Sequence, residues 1–202
     1  MGRVVQARRS RRGTYRALVV ATSVIAVIAV ALFALYSNSP PYSQGTPLVI
    51  DWRITIIIND VSTQTNYTLP AFIGAPEGRN INLWVNHTLD SQGPPGYSPL
   101  STRDTSSTIY IQSTSGDCLT SRLCFTFADF FNVWGRRFDR TCVPDGRGGE
   151  YCADANNAPP VMYEGVNDPR CVNPGLFLSN GKTWIIAIRS TYAYTLPGGC
   201  VT

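Results

Sequence analysis

The chain has 202 residues and a formal net charge of +4, from 17 Lys and Arg against 13 Asp and Glu. Six of the arginines lie within residues 1–16, where there is no acidic residue, so the remainder carries eleven basic side chains against all thirteen acidic ones. A nucleic-acid-binding domain would need a basic face of its own, so this function class loses its main support. The length allows one ordinary domain with a short additional segment.

Residues 17–36 are twenty consecutive residues without a charge. A helix of this length spans about 30 Å, which is the thickness of the hydrocarbon core of a bilayer. Arginine precedes the stretch and uncharged residues follow it, so the positive-inside rule places the N-terminus in the cytoplasm. We therefore predict a cytoplasmic tail over residues 1–16, a single-pass transmembrane anchor over 17–36, a Pro/Ser linker over 37–47 and an extracytoplasmic domain over 48–202.

A cleaved export signal is the alternative for this segment. Arg11 and Arg12 loosely resemble the start of a twin-arginine signal. A cleaved signal would have a shorter apolar core followed by a small-x-small site, and no convincing site of that kind is present. We expect the anchor to be uncleaved, and both interpretations place the domain outside the cytoplasm.

The cysteines support export, because all six lie beyond the predicted anchor. An even number of cysteines in an exported domain predicts disulfides, here three. Fifteen pairings exist, and the local spacing favours Cys118–Cys124, Cys142–Cys152 and Cys171–Cys200. Asn66 and Asn86 each begin an Asn-x-Thr sequon, which makes them candidate glycosylation sites on an exported surface.

The domain is predicted to be α+β, with a small mixed sheet covered by one helix. Apolar, β-branched runs bounded by turn residues predict strands over residues 50–59, 66–72, 107–113, 176–178 and 184–188. With the helix between the third and fourth strands, the predicted order is β-β-β-α-β-β. Residues 136–175 are rich in Pro, Gly, Asn and Asp, and are predicted to form a disulfide-bearing insertion.

The helix is predicted over residues 125–134. Thr126 is a natural N-cap, Asp129 completes a capping box and Gly135 is a natural terminator. Four aromatic residues recur at the spacing of one helix face, so they are predicted to pack into the core rather than to form a binding site. They are Phe127, Phe130, Phe131 and Trp134.

Four strings of the domain occur in an order found in a known family. They are IDWRITIIIND at residues 50–60, LPAFIG at 69–74, SPLSTRDTSSTIYIQS at 98–113 and FTFADFFNVWG at 125–135. Together they resemble a family of small, mostly uncharacterised exported domains of archaea and bacteria. Members of that family tend to read H-x-H-L-x-I-x-x-D-G, I-P-A-x-I-G, P-L-H-T-H-D-x-S-G-x-I-H-V-E-S and F-T-L-G-x-F-F-D-x-W-G at the corresponding positions.

The resemblance implies a metal site in the relatives, because neutral imidazole is a usual ligand of transition metals and their histidines come from two strands. In this chain none of the matching positions is a histidine. The residues there are Asp51, Arg53, Ser101, Arg103 and Tyr110, and Gln112 replaces the glutamate. A guanidinium stays protonated and repels a cation. The resemblance therefore implies that the metal chemistry is lost, and we expect no cofactor.

The aspartate of the family motif is retained as Asp104. We expect Asp51 and Asp104 to form ion pairs with Arg53 and Arg103, which would fill the altered site. If the matched positions converge in the fold, the site survives in altered form. If they scatter, the metal site of the relatives has no counterpart here.

Three functions are compatible with these observations. The favoured one is a non-catalytic, membrane-anchored domain that binds a protein partner or packs into a cell-surface or membrane complex. The alternatives are a metal-binding or redox accessory domain with altered ligands, and an exported enzyme of unrecognised type. The only histidine, His87, is interpreted as a structural or surface residue, because no nucleophile motif accompanies it.

Overall fold

The computed structural model describes residues 47–78, 81–115, 124–165, 168–194, 196 and 200. The chain divides into two units between residues 43 and 44, and every described residue belongs to the second unit. The predicted tail and anchor lie outside the described residues. In the part that the structure describes, no helix is both long and apolar enough to cross a membrane.

The described domain is α+β, as predicted, with a mixed sheet and the helix α1 at Phe127–Trp134. The strands are β1 Ile50–Asp60, β2 Thr65–Tyr67, β3 Leu100–Thr102, β4 Thr108–Ser113, β5 Cys142–Pro144, β6 Glu150–Cys152, β7 Val161–Glu164, β8 Pro169–Cys171 and β9 Thr183–Ile188. Short 3-10 helices occupy Pro76–Gly78, Ile81–Leu83, Asp90–Gln92 and Thr191–Tyr194. Seven strands form one sheet in the order β3-β4-β1-β9-β7-β8, with β2 also paired to β1, and β5 pairs with β6 in a separate hairpin.

Strand β1 lies at the centre of the sheet because apolar, β-branched side chains alternate along it. Ile54, Ile56 and Ile58 are at most 1% exposed, whereas the residues between them are partly exposed. β1 pairs antiparallel with β4 and parallel with β9. β4 places Ile109 on the buried face and Tyr110 on the opposite face. The sheet therefore has one face on the main core and an outer face that points away from it.

Helix α1 packs on the buried face, and its two ends are as predicted. The Thr126 hydroxyl accepts the Asp129 N–H at 3.3 Å, and the Asp129 carboxylate accepts the Thr126 N–H at 2.8 Å, which is a capping box. Gly135 ends the helix at φ 72°, a left-handed conformation that favours glycine. The four aromatic residues of the predicted stripe are 0–4% exposed, which confirms that they belong to the core.

The bounds and the pairing of the strands differ from the prediction in two places. The predicted strand over residues 66–72 ends at Tyr67, and the chain turns over residues 71–74, where Phe72 has a positive φ of 66°. Residues 176–178 do not pair with β9, and they make only an isolated bridge to Thr126. The antiparallel neighbour of β9 is β7 instead.

Residues 136–175 were predicted to be an insertion outside the sheet, but they contribute strands to it. They supply the β5–β6 hairpin, and they also supply β7 and β8, which extend the main sheet beyond β9. Each of these strands has only three or four residues, too few for apolar alternation to distinguish a strand from a loop. The α+β class is therefore confirmed, and the order β-β-β-α-β-β is wrong.

Two of the predicted disulfides are present. Cys142–Cys152 joins directly opposed residues of β5 and β6, with Cα atoms 4.1 Å apart. Cys171–Cys200 ties β8 to the C-terminal segment, with Cα atoms 5.3 Å apart. Cys124 is also disulfide-bonded, and its predicted partner Cys118 lies outside the described residues.

The outer face of the sheet differs between its two halves. On β7 and β9, Val161 and Ala187 form a small second core with Ala193 and Cys200 of the C-terminal segment. We call the outer face of β7 and β9, which this second core covers, the covered half. The open half consists of the outward-facing residues of β1 and β4, namely Asp51, Arg53, Thr55, Thr108, Tyr110 and Gln112.

Candidate functional site

The residues of the predicted altered site meet on the open half. The strand register places Arg53 of β1 directly opposite Tyr110 of β4, and Ser101 of β3 opposite Tyr110 on its other side. Asp51 is opposite Gln112 in the same way. Side chains that are opposite each other in neighbouring strands share a face and touch. The strand register therefore brings five of the residues at the matched positions next to one another: Asp51, Arg53, Ser101, Tyr110 and Gln112.

Two arginines contact Tyr110. The guanidinium carbon of Arg103, the residue after β3, is 4.2 Å from the centroid of the Tyr110 ring. The guanidinium carbon of Arg53 is 5.2 Å from the same centroid. Both distances lie within the range of cation–π attraction. Since β1 and β3 lie on either side of β4, one tyrosine orients two positive charges that come from two different strands.

Gln112 connects the remaining members of the site. Its Nε2 donates a hydrogen bond of 3.1 Å to the Asp51 carboxylate. Its Oε1 accepts a hydrogen bond of 3.1 Å from Arg103 Nη2. Gln112 thus stands between the carboxylate and the guanidinium. We call the five residues Asp51, Arg53, Arg103, Tyr110 and Gln112 the arginine–tyrosine cluster.

The ion pairs expected for Arg53 are not formed. Among the described residues, no salt bridge joins Asp51 or Asp104 to Arg53. The register explains the difference, because the residue opposite Arg53 is an aromatic ring rather than a carboxylate. Cation–π contacts and the Gln112 amide connect the cluster, and the charge of Arg53 is not neutralised by these aspartates.

Two of the predicted site residues, Asp104 and Ser101, are not members of the arginine–tyrosine cluster. Asp104 lies in the turn after β3, where its carboxylate accepts the Ser106 N–H at 2.8 Å. Hydrogen bonds from the Ser106 side chain and backbone hold the pKa of Asp104 below its ordinary value. Ser101 lies opposite Tyr110 but is only 3% exposed, so it is not accessible to another molecule. Asp104 therefore shapes the turn, and Ser101 is part of the packing.

His87 belongs to a separate aromatic turn. Its Nδ1 lies 2.7 Å from the Asp90 carboxylate, which also accepts the indole N–H of Trp84 at 3.3 Å. The rings of Trp84 and His87 are 4.8 Å apart, and the Asp90 N–H closes the turn by donating to the His87 carbonyl. In the described part of the chain, no three His, Cys, Asp or Glu side chains are grouped as a metal site. Asp90 is thus the centre of a local hydrogen-bonded turn.

The sequence analysis missed a buried charged group at the end of β1. Asp60 is 0% exposed, and its carboxylate accepts hydrogen bonds from Arg189 at 2.5 Å and from the Ser62 hydroxyl at 2.7 Å. Arg147 of the β5–β6 hairpin lies at 3.5 Å. Burial alone would raise the pKa of Asp60, but the hydrogen bond from Ser62 and the charge of Arg189 outweigh it and lower the pKa. Through these contacts, Asp60 connects the end of β1 to the residue after β9 and to the β5–β6 hairpin.

The two sequon asparagines have different surroundings. Asn66 is exposed on β2, and its side-chain carbonyl accepts a hydrogen bond of 2.7 Å from Asn59. Asn86 is partly buried, and its side-chain carbonyl accepts the N–H of Thr88 at 2.9 Å. Both remain candidate glycosylation sites, with Asn66 the more accessible.

Comparison with known proteins found no relative of this chain. No protein-family model matches the chain, and no curated protein or solved structure is similar to it. The chain is therefore assigned to no family, and the resemblance to the histidine-rich exported domains stands as a hypothesis.

Proposed function

We propose that this protein is a membrane-anchored, extracytoplasmic and non-catalytic binding domain that docks an acidic partner protein on the arginine–tyrosine cluster. One observation carries the proposal. The Arg53 guanidinium is exposed and lies against Tyr110, and no carboxylate of the described residues is within salt-bridge distance of it. Its charge is available to a carboxylate on another molecule.

The residue types of the cluster suit protein recognition. Arginine and tyrosine are enriched among the residues that contribute most to binding in protein–protein interfaces. A guanidinium held against an aromatic ring loses less conformational freedom on binding than a free one. The cluster lies on strands, which hold Arg53 and Tyr110 more rigidly than loops would. These features favour a pre-organised site for a partner in a cell-surface or membrane complex.

The arginines and the glutamine of the cluster are poor groups for proton transfer. A guanidinium does not act as a base near neutral pH, and an amide is neither an acid nor a base there. The Asp51 carboxylate accepts a hydrogen bond from the Gln112 amide. These groups suit recognition by charge and hydrogen bonding, which supports a non-catalytic role.

The proposed location rests on the sequence and on the disulfides. The twenty uncharged residues and the arginines before them predict a single anchor with the domain outside. Disulfides persist in oxidising compartments, and the pairs Cys142–Cys152 and Cys171–Cys200 fit such an environment.

Site-specific photo-crosslinking in native membranes tests the docking site. A photoreactive residue at Thr55 would lie on the same face as Arg53, and one at Asn132 would lie on the exposed side of α1. We expect a discrete adduct from position 55 and none from position 132. Arg53→Glu should remove the adduct, because it places a like charge opposite the partner.

Arg140→Glu is the matched control, since Arg140 is an exposed arginine outside the cluster. This variant should keep the adduct at position 55 although it changes the net charge by the same amount. An adduct that survives Arg53→Glu, or one that Arg140→Glu also removes, would contradict the proposed docking site. Thermal unfolding of both variants shows whether the domain is intact.

A further inference from the structure

Phe72 has a backbone conformation that is unfavourable for its side chain. Its φ is 66°, in the left-handed region that residues other than glycine seldom occupy. A Cβ is crowded by the carbonyl oxygen there, and a bulky side chain is a rare occupant. The phenylalanine side chain is nevertheless 37% exposed. Full burial, which would offset the strain by packing, is therefore not the reason for a phenylalanine at this position.

The strained turn is held by Thr102 of β3, which is 0% exposed. The Phe72 N–H donates to the Thr102 carbonyl, and the Thr102 N–H donates to the Ile73 carbonyl, both at 3.0 Å. Two turn residues thus lie opposite one strand residue, as in a G1 bulge, whose first residue is usually glycine. The Thr102 hydroxyl accepts the Ile73 N–H at 2.9 Å and donates to the Pro70 carbonyl at 2.7 Å. Strain of this kind persists where the surroundings fix it, and it is concentrated at functional sites.

Three other described residues besides glycine have a positive φ, and each has a local explanation. Gln64 lies in the tight turn that joins β1 to β2. The Ser107 hydroxyl accepts a backbone N–H at 3.0 Å, and Arg189 donates to the buried Asp60 at 2.5 Å. The side chain of Phe72 can make no hydrogen bond. Its conformation therefore serves no polar contact within the domain.

The turn that contains Phe72 borders the arginine–tyrosine cluster. The Thr102 carbonyl that accepts the Phe72 N–H belongs to the peptide bond that leads to Arg103, so the main chains of Phe72 and Arg103 are adjacent. The guanidinium of Arg103 lies against Tyr110. Since β3 is the last strand of the sheet on this side, the turn forms the lateral edge next to the cluster. An exposed apolar side chain therefore lies at the border of a positively charged site.

We propose that Phe72 is the apolar anchor of the partner-binding site, and that the partner presents an apolar side chain at some distance from the carboxylate that meets Arg53. The inference rests on the proposed function and specifies the partner. Three strand spacings separate β1 from the turn, so the two partner side chains lie about 15 Å apart. Aromatic residues and arginine are enriched at the centres of interfaces. A rigid turn lowers the entropy lost on binding, and this is what the bonds of Thr102 provide.

Photo-crosslinking from position 72 of the full-length protein in native membranes tests the contact. With p-benzoylphenylalanine at position 72, we expect an adduct of the same mass as the one from position 55. Position 177 is the matched control, because Phe177 is 38% exposed and lies beside the start of α1, on the opposite face of the sheet. No adduct is expected there. The absence of an adduct at position 72, or the same adduct at position 177, would overturn the anchor.

Substitutions at position 72 separate the anchor from the fold. Phe72→Ala and Phe72→Gly should each lower the yield of the adduct from position 55 about tenfold, whereas Phe177→Ala should leave it unchanged. Because glycine suits a φ of 66°, Phe72→Gly should unfold at a higher urea concentration than Phe72→Ala. The reverse order would contradict the strain at this position.

The same adduct distinguishes this inference from the proposed function. If Arg53→Glu removes it and both variants at position 72 retain it in full, the docking site stands and the anchor is wrong. If Arg53→Glu retains it and the variants at position 72 lose it, the anchor stands and the acidic partner is wrong.

Discussion

The covered half and the open half of the outer sheet face have the same strand geometry, but only the covered half is buried under another segment of the chain. In the covered half, Val161 and Ala187 are small and apolar, and the C-terminal segment packs over them. In the open half, Arg53 and Tyr110 occupy equivalent outward positions and remain accessible. The comparison shows that exposure of the open half follows from its side chains, since apolar residues on the same sheet are covered. Five predictions would break or sharpen this comparison.

The largest effect is expected from removing the cover of the covered half. Cys171→Ser with Cys200→Ser opens a loop of 29 residues and should lower the free energy of unfolding by about 3.5 kcal/mol. Urea unfolding of the double variant measures this loss. The matched pair Cys142→Ser with Cys152→Ser opens a loop of 10 residues and should cost less, about 2.5 kcal/mol. Equal losses would contradict the larger stabilisation expected of the disulfide that closes the longer loop.

The second effect concerns the network at the ends of β1 and β9, strands that belong to different halves. Asp60→Asn leaves Arg189 and Arg147 beside a buried neutral group, and should lower the free energy of unfolding by about 3 kcal/mol. Asp104→Asn is the control, because its carboxylate is also hydrogen-bonded but exposed, and it should cost much less.

Because of Asp60, the free energy of unfolding is expected to depend on pH. The pKa of Asp60 is lowered in the folded state, so its contribution is present above the unfolded pKa of about 3.9 and is lost as pH falls through the folded pKa. The free energy of unfolding of the wild type should therefore fall below about pH 4. Asp60→Asn should show a shallower fall over the same range, and parallel curves would contradict the assignment.

The next prediction tests how tightly the covered half is packed. Val161→Ala removes two methyl groups from a residue that is 0% exposed, and should cost about 2 kcal/mol. The measurement is the midpoint of urea unfolding at constant slope. A loss near zero would show that the second core is loosely packed and that its cover is held by the disulfide alone.

The smallest effect on stability is expected in the open half. Arg53→Ala removes one cation–π contact at an exposed position and should cost about 0.5 kcal/mol. It should nevertheless abolish the photo-crosslink from position 55. A variant that loses several kcal/mol would show that Arg53 is structural, and would remove the main support for the docking face.

The elements that could be predicted from sequence are the long, regular ones. β1, β4 and α1 have strict apolar alternation or helical periodicity, and the capping box at Thr126 marks the start of the helix. Strands β7 and β8 could not be predicted, because three or four residues carry no periodic signal. Their places in the sheet depend on β9, which lies further along the chain.

The candidate site shows the same limit. The resemblance indicated which residues should meet, and the alternation of β1 and β4 placed most of them on one face. The contacts within the cluster depend on the register, and a shift of one residue would put Arg53 opposite a different side chain. Sequence could therefore predict the membership of the cluster but not that Tyr110, rather than a carboxylate, lies beside Arg53.

The parallel pairing of β1 with β9 has a consequence for the kinetics of folding. Ile56 lies beside Trp184, so the centre of the sheet forms only when segments from opposite ends of the domain meet. Such distant contacts close slowly, and a chain that emerges N-terminus first exposes the edge of β1 until β9 arrives. Folding of this domain must therefore finish after most of the chain has been synthesised, with β1 in need of protection from aggregation until then.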